Sequence, residues 1–277
     1  MSSLRRLPIE RLLAAQGSPT GRDADAESAP YGADARFGPA SLIARESSLA
    51  VSDFDLSADG RRMAVVLRHE RVLVFDPQQS GNVVELTGHK YVQQVAVSPD
   101  GQWIATASPD SEEVRLWDAP TGRHVHSLPV KKLESGDIAF SPDGQWLIAL
   151  SGDHFGLHRV GTWDEQRRFT HEANVSGCAA FSPDGTWLAL TDSSHVRLIA
   201  TDSFREVARL PVRRGRNLAT ASLSNHCALR FSRSGKLLAI GTMQGTVQVW
   251  DLPLVQQRLA LLDLDWPSPT SRRTEAS

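Results

Sequence analysis

The chain repeats itself five times. Turns of the form Ser-x-x-Gly begin at Ser57, Ser98, Ser141, Ser182 and Ser232, stepping by 41, 43, 41 and 50 residues. Each is followed by an apolar run and, 17 to 19 residues after the serine, by a position that twice reads Trp-Asp, at Trp117-Asp118 and Trp250-Asp251. A period of about 40–45 residues with such hairpin turns describes four-stranded units that cannot bury their own faces and must stack side by side. The expected fold is therefore all-β: a propeller of about five four-stranded blades. No catalytic side chain recurs with the period, which favours binding over turnover.

The turns follow from their residues. Serine suits the first position of a type I turn, proline presets φ at the second, and glycine accepts the positive φ needed to re-enter a strand. Apolar runs such as Trp103 to Ala107, Trp146 to Leu150 and Trp187 to Leu190 carry the aromatic and branched side chains that strands favour. Third strands are expected at Val72 to Phe75, Val114 to Trp117, Gly156 to Val160, Val196 to Ile199 and Val247 to Trp250, and more polar outer strands follow the first four. The fifth outer strand is missing, and Ser41 to Arg45 is expected to supply it, since an open array exposes an unpaired edge.

Residues 1–39 are rich in Gly, Ala, Ser, Pro and Asp and read as a disordered arm, residues 40–252 as the propeller, and residues 253–277 as a helix and tail. Thirty basic against 32 acidic side chains leave a formal charge of −2, far from the surplus of a nucleic-acid binder. The N-terminal apolar stretches are too short for an export signal and no run is long enough for a membrane span. The two cysteines, Cys178 and Cys227, read as buried free thiols in a reducing cytoplasm.

Over about residues 41 to 252 the chain resembles the WD40-repeat propellers. The second unit carries the resemblance, with Gly88-His89, the Ser98–Gly101 turn and Val114-Arg-Leu-Trp-Asp118. The family pattern implies a buried hydrogen-bond chain of His89, Thr106, Asp110 and Trp117 that stiffens the blade. The segment from Trp250 to Trp266 is similar to the tail that ends many bacterial WD40 proteins, including ones whose propeller follows a serine/threonine kinase domain. Trp163-Asp164 breaks the spacing, Val160-Gly161 restores it, and Trp163 is expected in an outer turn, partly exposed.

No kinase loop, nucleotide cradle or zinc spacing occurs, and no cofactor is expected. His154 and His158 stand four apart on a strand or its turn and read as surface histidines. The expected partner is a protein or peptide, meeting the loops between outer and inner strands and between second and third strands. There the sequence places Tyr91, Lys131, Lys132 and Phe155, together with Arg213, Arg214 and Arg216 of the longest inter-blade insertion. A non-catalytic interaction scaffold or regulatory propeller is the first reading. A detached regulatory part of a kinase–propeller system is the second. A lactonase-like propeller hydrolase is the third, and it requires carboxylates and histidines converging on the central channel.

Overall fold

The computed structural model describes residues 51–79, 82–131, 137–170, 177–192, 194–212, 228–241 and 246–261. Five antiparallel sheets follow one another along the chain as a five-blade β-propeller. Blade 1 comprises β1 (Val51–Leu56), β2 (Met63–Leu67), β3 (Arg71–Phe75) and β4 (Val84–Leu86). Blade 2 comprises β5 (Gln94–Val97), β6 (Trp103–Ala107), β7 (Glu113–Asp118) and β8 (Arg123–Pro129). Blade 3 comprises β9 (Ile138–Phe140), β10 (Trp146–Ser151), β11 (His154–Arg159) and β12 (Glu165–Thr170). Blade 4 comprises β13 (Ala179–Phe181), β14 (Trp187–Thr191), β15 (His195–Ala200) and β16 (Arg205–Pro211). Blade 5 shows β17 (Ala228–Phe231), β18 (Leu237–Gly241) and β19 (Val247–Asp251), followed by a helix, α1 (Leu252–Ala260), that starts on an Asp251 cap with Pro253 in its first turn. The arm at 1–39, the closing strand expected at Ser41 to Arg45 and the tail beyond 261 lie outside the described residues.

The five turns are built alike. In each of the first four the serine hydroxyl donates to the aspartate two residues on, as from Ser57 to Asp59 at 2.6 Å and from Ser141 to Asp143 at 2.5 Å. The same hydroxyl accepts the amide five residues on, at 2.9 Å in each of these turns. Ser234 stands in for the aspartate in the fifth. Between turns the strands bury apolar faces in three clusters: blade 1 against blade 2, blades 2 to 4 together, and blade 4 against blade 5 and α1.

The innermost strands hold the blades to one another through carboxylates. Asp53 Oδ2 accepts the Val95 amide at 2.9 Å, Asp55 Oδ2 accepts the Val97 amide at 2.7 Å, and Asp137 Oδ2 accepts the Ala179 amide. Each bond runs from one inner strand to that of the next blade. Burial raises the pKa of all three, Asp137 to about 6 against the pull of the Ala179 amide and the Arg230 charge.

Cys178, four residues before its blade turn, forms a disulfide, where the sequence reading expects a free thiol; Cys227 is the only other cysteine of the chain. Trp163 departs from expectation too. It stands in the turn between β11 and β12 with φ 64°, but only 7 % of it is exposed, because its ring meets Trp103 of blade 2 edge-on at 5.3 Å between centroids. Phe204, 41 residues later in the same turn of blade 4, has φ 51° and stacks edge-on against Trp146 of blade 3 at 5.2 Å. At both sites an aromatic accepts left-handed backbone and packs on the tryptophan that opens the second strand of the preceding blade.

Candidate functional site: the wedge between blades 2 and 3

Strand register shows which residues of different blades are equivalent. Trp117 pairs with Ile104 in blade 2, His158 with Leu147 in blade 3, Ile199 with Leu188 in blade 4 and Trp250 with Leu238 in blade 5. The counterpart of Trp117-Asp118 in blade 3 is therefore His158-Arg159, and not Val160-Gly161. The error in sequence spacing has a local cause: the β6–β7 connection spans residues 108–112, whereas Gly152 and Asp153 alone join β10 to β11. A bulge falls at the same place in blades 2, 3 and 4, between Leu116 and Trp117, Leu157 and His158, and Leu198 and Ile199. In each the extra residue stands on the outer strand, at Val125, Gln166 and Val207, while the pairing of second and third strands runs unbroken through Trp117, His158 and Ile199.

In blade 2 this position is locked. The Trp117 indole donates to Thr106 Oγ1 at 2.9 Å, and the same hydroxyl bonds His89 Nδ1 at 2.7 Å. Burial, reinforced by the Arg115 charge, depresses His89 to about 4, so the ring is neutral. Asp110 does not join the chain. It is exposed, its amide turns to Ser108 Oγ at 3.3 Å, and His89 Nε2 is buried without a partner among the described residues. The longer β6–β7 connection carries the carboxylate out of reach. Arg115, one face-step along β7 from Trp117, completes the lock by donating to the Gly88 carbonyl at 2.6 Å.

Blade 3 replaces each part. Trp117 becomes His158, Thr106 becomes Ala149, and Arg115 becomes Gly156, as the pairs Thr106–Arg115 and Ala149–Gly156 show. Blades 4 and 5 keep a side chain at the third position: Arg197 donates to the Thr170 carbonyl at 2.8 Å and Gln248 to the Pro211 carbonyl at 3.0 Å, each reaching the outer strand of the preceding blade. With indole and guanidinium both gone, the wedge toward blade 2 stays open. A cavity of about 670 Å³ occupies it, walled by Leu128, Pro129, Val130 and Lys131 from blade 2 and by Ser151, His154, His158, Trp163, Glu165 and Arg168 from blade 3, with Glu112, His126 and Asp164 completing the lining.

The electrostatics are mixed. Lys131 Nζ reaches Asp153 Oδ2 at 2.6 Å, and the same aspartate bonds His154 Nδ1 at 2.8 Å through its other oxygen; these bonds hold its carboxyl well below the usual range. Arg168 pairs with Glu165 Oε1, whose Oε2 lies 3.8 Å from His154 Nε2. His158 Nδ1 meets the Trp163 carbonyl at 3.2 Å, and burial lowers the pKa of the ring. His154 and His158 are thus not surface histidines: they share one face of β11 with Gly156 between them and look into the cavity. A Cβ on Gly156 would stand 2.8 Å from His158 Nε2 and 3.4 Å from Glu165 Oε2.

Of the residues expected to meet a partner, Lys131 lines this cleft. Tyr91 is 58 % exposed at φ 53°, in the equivalent loop one blade earlier. Phe155 is fully buried, because it alternates with His154 and Gly156 along β11 and points into the core, so it has no surface role. Lys132, Arg213, Arg214 and Arg216 lie outside the described residues. His126, His154, His158, Glu165 and Arg168 were missed; two histidines flanking a glycine at alternate positions of a strand were the available signal.

Among the described residues no helix is long and apolar enough to cross a membrane. A solved structure, the hydrazine synthase of Kuenenia stuttgartiensis, is similar in fold at TM-score 0.55 and 20 % identity, covering 71 % of this chain; the chain spans 56 % of that protein's length. The family model described as WD domain, G-beta repeat matches residues 81–118, 163–199 and 215–251. Those three matches, set in five successive blades, make this chain a WD40-repeat β-propeller.

Proposed function

We propose that the chain is a non-catalytic protein-interaction module and that a polypeptide segment seats in the wedge between blades 2 and 3. The observation that carries this reading is the cleft itself. It is an open cavity of about 670 Å³ in a wedge where His158, Ala149 and Gly156 replace the indole, hydroxyl and guanidinium of blade 2, lined by apolar and charged side chains. The hydrolase reading finds less support. The inner-strand carboxylates Asp53, Asp55 and Asp137 are engaged by amides of the neighbouring blades, and no described histidine stands with them.

The Cys178 disulfide favours an oxidising compartment over the cytoplasm. Non-reducing alkylation of protein taken directly from its source cells should leave both cysteines unmodified; two alkylated thiols would return the chain to a reducing compartment.

The test of function is photocrosslinking from a benzoylphenylalanine placed at His126, on the cleft rim, against one placed at Arg61, on an exposed hairpin of blade 1. One polypeptide should be captured from His126 and not from Arg61. Equal capture from both, or turnover of lactone or ester substrates that survives purification, would contradict the reading.

A further inference from the structure

One position of the innermost strand ties each blade to the next. It lies four residues before the turn serine, at Asp53, Gln94, Asp137, Cys178 and Ala228. The carboxylates of Asp53 and Asp137 accept the Val95 and Ala179 amides of the following blades, and the Gln94 side chain bonds the Asp137 carboxyl. Cys178 makes the tie between blades 4 and 5 covalent: its disulfide partner is the only other cysteine of the chain, Cys227, the residue before β17. Ala228 has no polar side-chain atom with which to reach blade 1.

Blade 5 is therefore held from one side. Ala64 and Val74 lie in register with Asp55, whose carboxylate reaches blade 2, so that face of a blade looks toward the next one. Val74 and its counterparts Leu116, Leu157 and Leu198 are fully buried, whereas Val249 at the same register position of blade 5 is 54 % exposed. Across that seam Phe54 of β1 is 56 % exposed, where its counterparts Val95, Ile138, Ala179 and Leu229 are buried. The Arg230 charge acts on Asp53 and Asp55 without an ion pair among the described residues. On its other side blade 5 packs against blade 4 through Leu229, Leu238 and Ile240. The chain that joins those two blades, residues 212–227, is twice the length of the connections at 130–137 and 171–178.

We propose that the disulfide between Cys178 and Cys227 is a redox latch on blade 5. Oxidised, it fastens the last blade to blade 4; reduced, it lets β17, β18, β19 and α1 open as one unit while blades 1 to 3 stay folded. A dithiol reductant supplies the chemistry. Its thiolate attacks one sulfur of the S–S bond and its second thiol displaces the mixed disulfide, so two electrons and two protons pass to the chain. The chain gains two thiols, and the reductant closes into a cyclic disulfide. The cross-link suppresses the freedom of a long connection, and reduction returns it. A terminal unit left with packing on one face opens more often than the whole fold does.

The test is amide hydrogen exchange of the full chain, read by mass spectrometry with and without dithiothreitol. Reduction should speed exchange in β17, β18, β19 and α1 by about tenfold or more and leave blades 1 to 3 unchanged. Two variants that also carry Cys227→Ser separate a latch from an ordinary buried cysteine. Cys178→Ala should behave like the reduced protein whether or not dithiothreitol is present. Cys178→Asp should slow exchange in blade 5 again, because its carboxylate can accept the amide of Leu229 as that of Asp137 accepts the amide of Ala179. Unchanged exchange in blade 5 on reduction would overturn the latch. So would equal acceleration in all five blades, the mark of a staple on the whole fold, or a Cys178→Asp chain no better protected than Cys178→Ala.

Discussion

Blade 2 and blade 3 share a turn, a strand register and a bulge position on the outer strand, and they differ in what the third strand carries beside that bulge. In blade 2 it carries an indole, which finds a hydroxyl and, through it, a buried neutral histidine. In blade 3 it carries an imidazole whose outer nitrogen finds no described partner, beside a glycine where a guanidinium would reach the preceding blade. The first arrangement pairs its indole, hydroxyl and guanidinium internally, leaves His89 Nε2 without a described partner, and fills its wedge; the second leaves its wedge open. Within one repeat architecture, loss of the stiffening network leaves a cleft. The same contrast reaches the innermost strands. Four residues before the turn, blade 2 carries the neutral Gln94 and blade 3 the buried carboxyl of Asp137.

The largest way to break this comparison is Trp117→Ala. The side chain is 2 % exposed, and its removal leaves a cavity and takes one bond from the Thr106 hydroxyl, so a loss of roughly 3–5 kcal/mol is expected in urea unfolding. Trp163→Ala should come next, at about 2–4 kcal/mol, because the ring is buried against Trp103. A loss under about 1 kcal/mol, the expectation for an exposed turn residue, would show that Trp163 does not pack as described. Asp137→Asn should raise the melting temperature at pH 8. The folded pKa of Asp137 is raised from 3.8 to about 6, so its ionised form weighs against folding above pH 6, and that cost disappears as the pH falls through 6 toward 3.8. The variant's advantage over wild type should shrink across the same window; an advantage independent of pH would contradict the burial of that charge. Asp110→Ala, at an exposed residue outside the network, should change stability by about 0.5 kcal/mol or less, and a larger loss would restore it to the hydrogen-bond chain.

The period and its turns made the fold legible, since five Ser-x-x-Gly hairpins spaced like blades admit few other architectures. His89, Thr106 and Trp117 were legible because blade 2 keeps the family spacing. The site was not. A hairpin connection of two residues in blade 3 against five in blade 2 moves the Trp117 equivalent from position 160 to position 158, and counting from the serine cannot reveal that. Phe155 was misplaced because β11 begins at His154, so a residue read as a loop position lies inside the strand and faces the core. Trp163, read as an interruption of the pattern, is a second anchor whose left-handed backbone no spacing rule announces.

The most direct test exchanges the two residues on which the contrast depends, in separate variants, with stability read from urea unfolding. Trp117→His should cost about 3 kcal/mol or more, because it opens a wedge that is full. His158→Trp should cost about 1 kcal/mol or less, because it enters a wedge that is open. Equal losses from the two exchanges would mean that the cleft does not owe its existence to the missing indole.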